Sequence, residues 1–124
     1  MARHTNTTNA NGHRRRQLTA RIKATSTHCA LCHQPLRPEL EWPHDWCTVV
    51  DEDLPRSRGG SPLDRENTSA MHNRCNRFKG TMTLNEAREL LARGANVTKP
   101  LKRSQRRAIM AQDVGKWSNV ASSY

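Results

Sequence analysis

Two pairs of metal-ligating side chains, forty residues apart, restrict this chain more than anything else in it. Cys29-Ala-Leu-Cys32 and His72-Asn-Arg-Cys75 each hold two ligands with two residues between them. That spacing lets a tight turn, or the first turn of a helix, aim both at one tetrahedral ion, at ~2.3 Å for sulfur and ~2.0–2.1 Å for nitrogen. Four protein ligands leave no open coordination position, so the expected ion is a structural zinc. The rest of the chain needs such a staple. Only 34% of 124 residues are apolar, with one Phe, one Tyr and three Trp. A small domain this short of core depends on a metal, disulfides or a partner. No amino-terminal apolar segment resembles a signal peptide and no run reaches membrane-spanning length, so the expected setting is cytoplasmic, where a CxxC is more often a metal site than half of a disulfide framework. Cys47 is the main rival for a ligand position, although it reads better as a small buried hydrophobe on a strand. His28 and His33, beside the thiols, are alternatives to His72.

Charge points to the partner. Lys plus Arg number 21 against 11 Asp plus Glu, a net charge of +10. The distribution is uneven: seven basic residues and no acidic one precede Glu39, while six of the eleven acids fall between Glu39 and Asp53. A positively coated chain with one acidic pocket suits a divalent-cation site acting on a polyanion.

In chain order, residues 1–12 are polar, rich in Asn and Thr, and without apolar period; they read as a disordered tail. The spacing predicts a helix from His13 to about Ser26, with Leu18 and Ile22 on one face and Arg14, Arg15, Arg16, Arg21 and Lys23 around much of the rest, available for phosphate. His28 to Leu36 reads as a zinc knuckle closed by Pro35. Residues 37–46 form an irregular loop, in which Trp42 and Trp46 are expected as core or loop anchors. Cys47 to Asp51 is a strand by β-branched content, ended by Pro55. A long basic loop, Arg56 to Arg65, follows; Asn67 to Met71 returns as the second strand and a helix begins near His72. Thr83-Leu-Asn-Glu86 is a capping box opening a helix to Arg93, with Gly94 as its stop. After Pro100 the chain is basic, with a short helix around Ser104 to Gln112.

The ordered set of a CxxC, a hydrophobic strand ending in Asp-Glu-Asp-Leu-Pro, Ser-Arg-Gly-Gly, Asn67, and His72-x-x-Cys75-Asn76-x-x-Lys79-Gly80 resembles the HNH endonucleases, in particular the small zinc-containing versions of phages and prophages. The resemblance covers about residues 13–94. It implies an α+β fold: a small ββα-metal hairpin and helix (the His-Me finger), stapled by the structural zinc over a core of 28–80, with flanking helices and a basic extension over 95–124. By position, the family's metal-binding acid falls on Asp51, the asparagine that holds the loop on Asn67, and a second ligand for the catalytic cation on Asn76. The general base, a histidine in the family, is replaced by Glu52, with a reference pKa about two units lower; the alternative role for Glu52 is that of a metal ligand. Oxygen donors imply Mg2+ or Mn2+ as that cation. Arg74, Arg77 and Lys79 on the helix, and Arg56 and Arg58 in the loop, are expected on the DNA backbone.

These readings converge on a divalent-metal-dependent DNA endonuclease or nickase of low sequence specificity, working in the cytoplasm of a bacterial host. The replacement at Glu52 sustains a second reading, a catalytically inactive zinc-stapled DNA-binding protein derived from such a nuclease. A third, an adaptor for a phage assembly, brings in terminase or packaging proteins as partners by family association alone.

Overall fold

The computed structural model describes residues 2–99 and 101–112, and the side chains of 11–99 and 101–108. Four helices and one two-stranded sheet make up the fold: α1 (Ala2–Thr25), β1 (Thr48–Glu52), β2 (Thr68–His72), α2 (Asn73–Lys79), α3 (Leu84–Ala92) and α4 (Arg103–Gln112). It is a small α+β arrangement in which an antiparallel hairpin runs straight into a helix.

The first helix corrects the expected boundary. It extends back to Ala2 through the stretch read as a disordered tail. The turns from Arg15 to Ile22 are fixed by packing on the domain, with Ile22 buried. Each residue added to a helix already nucleated gains one hydrogen bond for two fixed dihedrals, so growth beyond an anchored segment is the inexpensive step.

β1 and β2 pair from Thr48 opposite His72 to Glu52 opposite Thr68. The β-branched Val49 and Val50 make the strand; Pro55, with no amide proton to give, ends it three residues on. Between the strands lie two short 3₁₀ turns, Arg56–Arg58 and Arg65–Asn67. The glycine pair has two separate duties. Gly59 ends the first turn with φ at 94°, in the left-handed region where a side chain is strained. Gly60 lies so close to the backbone carbonyl of Leu54 that any Cβ would run into it.

The core is thin and sits around the metal-ligand cluster. Cys29, Leu31, Met71, Cys75, Phe78, Met82, Leu84, Ala87 and Leu90 form it, joining the knuckle, β2, α2 and α3. The Thr83 capping box is formed as expected, Thr83 Oγ1 accepting from the Glu86 amide at 3.1 Å and Glu86 Oε1 accepting from the Thr83 amide at 2.8 Å. Along α3, Leu84, Ala87 and Leu90 face inward. Arg88 reaches back from α3 to hold the knuckle, donating to the Ala30 carbonyl from Nε at 3.0 Å and Nη2 at 2.7 Å.

The two tryptophans of the 37–46 loop part company. Trp46 is half-buried, its ring 4.8 Å from that of His72 in a T-shaped contact, with the Arg74 guanidinium 3.7 Å from its centroid. Trp42 is 71% exposed, against the expectation of a buried anchor. One indole already closes the open side of His72, and a ten-residue loop carrying Pro38 and Pro43 has no second buried position to offer.

Candidate functional site

Cys29, Cys32, His72 and Cys75 converge, their ligating atoms all within 4.8 Å of one another. A tetrahedron built on ~2.3 Å zinc–sulfur bonds has sulfurs about 3.8 Å apart, so the cluster is near the size that zinc requires. Local structure explains the convergence. Pro35 bridges back to His28, His33 takes a positive φ of 63°, and the Ala30 amide donates to Ala70 O at 3.0 Å, laying the knuckle against β2. His72 is the last residue of β2 and the N-cap of α2, but its ring makes no capping bond. Its Nδ1 instead faces the sulfurs, 3.3 Å from Cys32 Sγ and 4.0 Å from Cys75 Sγ. Nε2 lies 3.0 Å from the Pro35 carbonyl, which accepts only if Nε2 carries the proton; Nδ1 then keeps its lone pair for a metal.

The thiols are poised unequally. The hydrogen bond from Cys75 lowers the Cys29 pKa to about 4, and backbone amides of Cys32 and His72 add to this against the opposing effect of burial. Donating that bond, together with burial and the neighbouring thiolate charge, pushes Cys75 up, and burial raises Cys32. One thiolate is therefore ready and the other two thiols would release protons on binding a metal. Cys47 is buried at 2% on the approach to β1 and stands outside the cluster, as do His28, which pairs with Thr27 Oγ1, and His33.

About the end of β1 stands a second group of residues. Asp51 and Glu52 are its last two positions, opposite Ser69 and Thr68. Lys79, in the last turn of α2, is fully buried; its Nζ donates to Asp51 Oδ2 at 3.1 Å and to the Glu52 carbonyl at 2.8 Å. The lysine thus clamps α2 onto the strand end. This corrects its expected role on DNA, because an ammonium with no exposed surface and two protein acceptors cannot reach a phosphate. Asn76 lies three residues before Lys79, on the same side of α2. It is half-buried and its amide makes no hydrogen bond among the described residues.

Glu52 is buried at 6% and held from two directions: Arg56 Nε donates to Oε1 at 2.8 Å and Arg15 Nη2 lies 3.7 Å from Oε2. Burial pushes its pKa up, but the Arg56 and Asp51 hydrogen bonds and the Arg15 charge outweigh it, leaving the carboxyl below the usual range. Asp51 moves the other way, raised by burial and by its hydrogen bond to Glu52, with Lys79 opposing. The two neighbouring carboxyls thus have their pKa values pushed in opposite directions. The oxygen donors of Asp51 and Asn76 suit such an ion by type. Asp53, the third acid, is used locally, accepting from Ser69 Oγ at 2.7 Å.

Asn67 closes the loop. Its Oδ1 accepts from the Leu54 amide at 2.8 Å, and its Nδ2 donates to Leu54 O at 3.0 Å and Ser61 O at 3.1 Å. One side chain thereby fixes both ends of the segment containing the glycines. Of the arginines expected on DNA, Arg77 pairs with Asp45 at 2.6 Å, Arg58 with Glu86 and Arg56 with Glu52, all with part of their surface exposed, while Arg74 covers Trp46. Arg15 also donates to the carbonyls of Pro62 at 2.8 Å and Val50 at 3.3 Å. Sequence reasoning missed its place at Glu52 and missed the Lys79 clamp. The i, i+3 spacing places Asn76 and Lys79 on one side of α2, but nothing local signals the distant partner of either Arg15 or Lys79.

Among the described residues no helix is long and apolar enough to cross a membrane. Comparison with protein families, with characterised proteins and with solved structures finds no match to this chain.

Proposed function

We propose that this protein is an HNH-type DNA endonuclease or nickase that hydrolyses phosphodiester bonds with low sequence specificity. The observation that carries the proposal is the clamp of Lys79 on Asp51, which sets the strand-end carboxylate against the helix that bears Asn76 and, one residue before it, the cluster ligand Cys75. Zinc at Cys29, Cys32, His72 and Cys75 holds the hairpin, knuckle and α2 together. Asp51 and Asn76 would hold a divalent cation, Mg2+ or Mn2+, which would supply charge neutralisation at the leaving 3′ oxygen. Lys79 orients Asp51, and Asn67 fixes the loop on which Arg56 and Arg58 approach the substrate. Glu52, ionised between Arg15 and Arg56, stands where the family has its base and would accept a proton from the attacking water, although its low pKa makes it a weak base. A cytoplasmic setting in a bacterial host, phage or prophage origin and a packaging-enzyme partner belong to the same proposal, on the strength of the motif resemblance.

The two arginines on Glu52 favour a second reading, a zinc-stapled DNA-binding protein without catalysis, because they engage the carboxylate that replaces the histidine base. Plasmid nicking with Mg2+ or Mn2+ over a pH series separates the two. The nuclease reading expects cutting that falls on the acid side as Asp51 takes up its proton, at a pH above the ordinary aspartate range, and stays flat at neutral and alkaline pH. Asp51→Ala and Asn76→Ala should each abolish it while the zinc content stays unchanged. Cutting by both variants overturns the site assignment, and binding without nicking under either metal establishes the second reading.

A further inference from the structure

The basic residues near the candidate site are mostly engaged by the protein's own acids and carbonyls. The face of α1 next to the one that carries Arg15 is different. Arg14, Gln17, Leu18 and Arg21 follow one another at helical spacing and line a shallow cleft of about 230 Å³ closed on its far side by Leu63 and Arg65. Arg14, Arg21 and Arg65 are exposed and have no acidic partner among the described residues. No acidic side chain lines the cleft. Leu63 is shared with a second cleft lined by Arg15 and Arg56, the two arginines that hold Glu52. The basic face is thus continuous with the surface above the strand end.

We infer that the cleft between α1 and residues 63–65 is a docking surface for the phosphate backbone of a DNA duplex, gripped by Arg14, Arg21 and Arg65. The inference rests on the nucleic-acid reading above and names a surface that reading does not use. Seven residues of α-helix separate Arg14 from Arg21, a rise of about 10.5 Å. One strand of B-DNA carries a charge every ~3.4 Å along its axis, so that span faces about three phosphates. Three guanidiniums, none of them paired with a carboxylate among the described residues, match them in number; Asp64 and Glu66 flank Arg65 in the chain but do not line the cleft. Arginine suits the task because its planar fork meets phosphate oxygens in pairs. Arg15, between them in sequence, faces the domain and fixes the helix to Val50 and Pro62, so the grip is made on a braced support.

The test is binding of the full chain to a fluorescein-labelled duplex by anisotropy, over a range of salt concentrations and without added divalent metal, so that cleavage plays no part. The triple variant Arg14→Gln/Arg21→Gln/Arg65→Gln is compared with a variant of equal charge change elsewhere, Lys99→Gln/Lys102→Gln/Arg103→Gln. Each phosphate no longer neutralised flattens the plot of log affinity against log salt by about 0.9, so the cleft variant should lose about 2.7 of slope and on the order of 100-fold in affinity at 0.1 M salt, the comparison variant far less. Equal losses in both, or none in the cleft variant, overturn the inference in favour of diffuse attraction or another surface. Absence of salt-dependent binding by the unmodified chain overturns it as well. The nuclease proposal fails separately, by an absence of nicking in a chain that still binds through the cleft.

Discussion

Lys79→Met removes a charge from the centre of the structure while keeping most of the side chain's volume. The ammonium is fully buried, with one hydrogen bond to a carboxylate and one to a backbone carbonyl. Breaking a wholly buried ion pair by removing one partner costs about 3–5 kcal/mol, because the remaining charge is stranded. Here Asp51 keeps 26% of its side-chain surface, so water recovers part of that loss. The saved desolvation of the ammonium offsets a further part. A net destabilisation of about 2–3 kcal/mol follows, between the cost of a lost charge-assisted hydrogen bond and that of a fully buried pair. Urea unfolding of the zinc-loaded protein measures it as a lower midpoint at an unchanged slope. The double variant Asp51→Asn/Lys79→Met should be less destabilised than the sum of the two single variants, since the stranded charge is gone. If Lys79 instead served the DNA backbone, Lys79→Met would leave the urea midpoint in place and flatten the salt dependence of DNA binding by about 0.9. That pair of results would refute the buried-clamp reasoning.

Other perturbations read out separate parts of the structure. Zinc analysis should give one ion per chain, lost in Cys75→Ser and His72→Ala but retained in Cys47→Ser. Chelation should abolish cooperative unfolding, since structural zinc contributes about 10–16 kcal/mol and whole domains are stable by only about 5–15. Glu86→Gln keeps an oxygen for the capping box but removes the charge that strengthens its bond from the Thr83 amide and forms the Arg58 pair. Burial alone would raise the Glu86 pKa, but the bonds from Arg58 and the Thr83 amide outweigh it and hold it low. A carboxyl depressed by folding stabilises above its unfolded pKa and loses that effect as pH falls through the folded one. The variant should therefore be weaker than wild type by about 1 kcal/mol at pH 7, with the gap closing towards pH 3. Asn67→Ala leaves the Leu54 amide without its acceptor and frees the loop from Ser61; a loss of about 1–2 kcal/mol is expected, with faster hydrogen exchange at Leu54. Unchanged exchange there would mean that the glycine turn holds the loop unaided.

Patterns repeated within a few residues were legible without coordinates. The two ligand pairs specified the Cys3His cluster, the valines and Pro55 marked β1, and Thr83-x-x-Glu86 set the start of α3, because turn, strand and cap preferences act over one or two turns of chain. What lay beyond was decided by which side chains meet across long separations. Arg15 and Glu52 are 37 residues apart and Lys79 and Asp51 are 28 apart, so neither pairing leaves a local trace. Charge alone made Lys79 look like a phosphate ligand; the turn of α2 that carries it faces the hairpin, and burial beside a carboxylate makes it an internal clamp. By itself the sequence determined the candidate ligand set, the order of elements and the excess of positive charge. Only the tertiary structure divided that charge into arginines and a lysine that hold the acidic strand end and arginines without an acidic partner among the described residues at the cleft beside α1, because pairing depends on distance and burial, which composition does not carry.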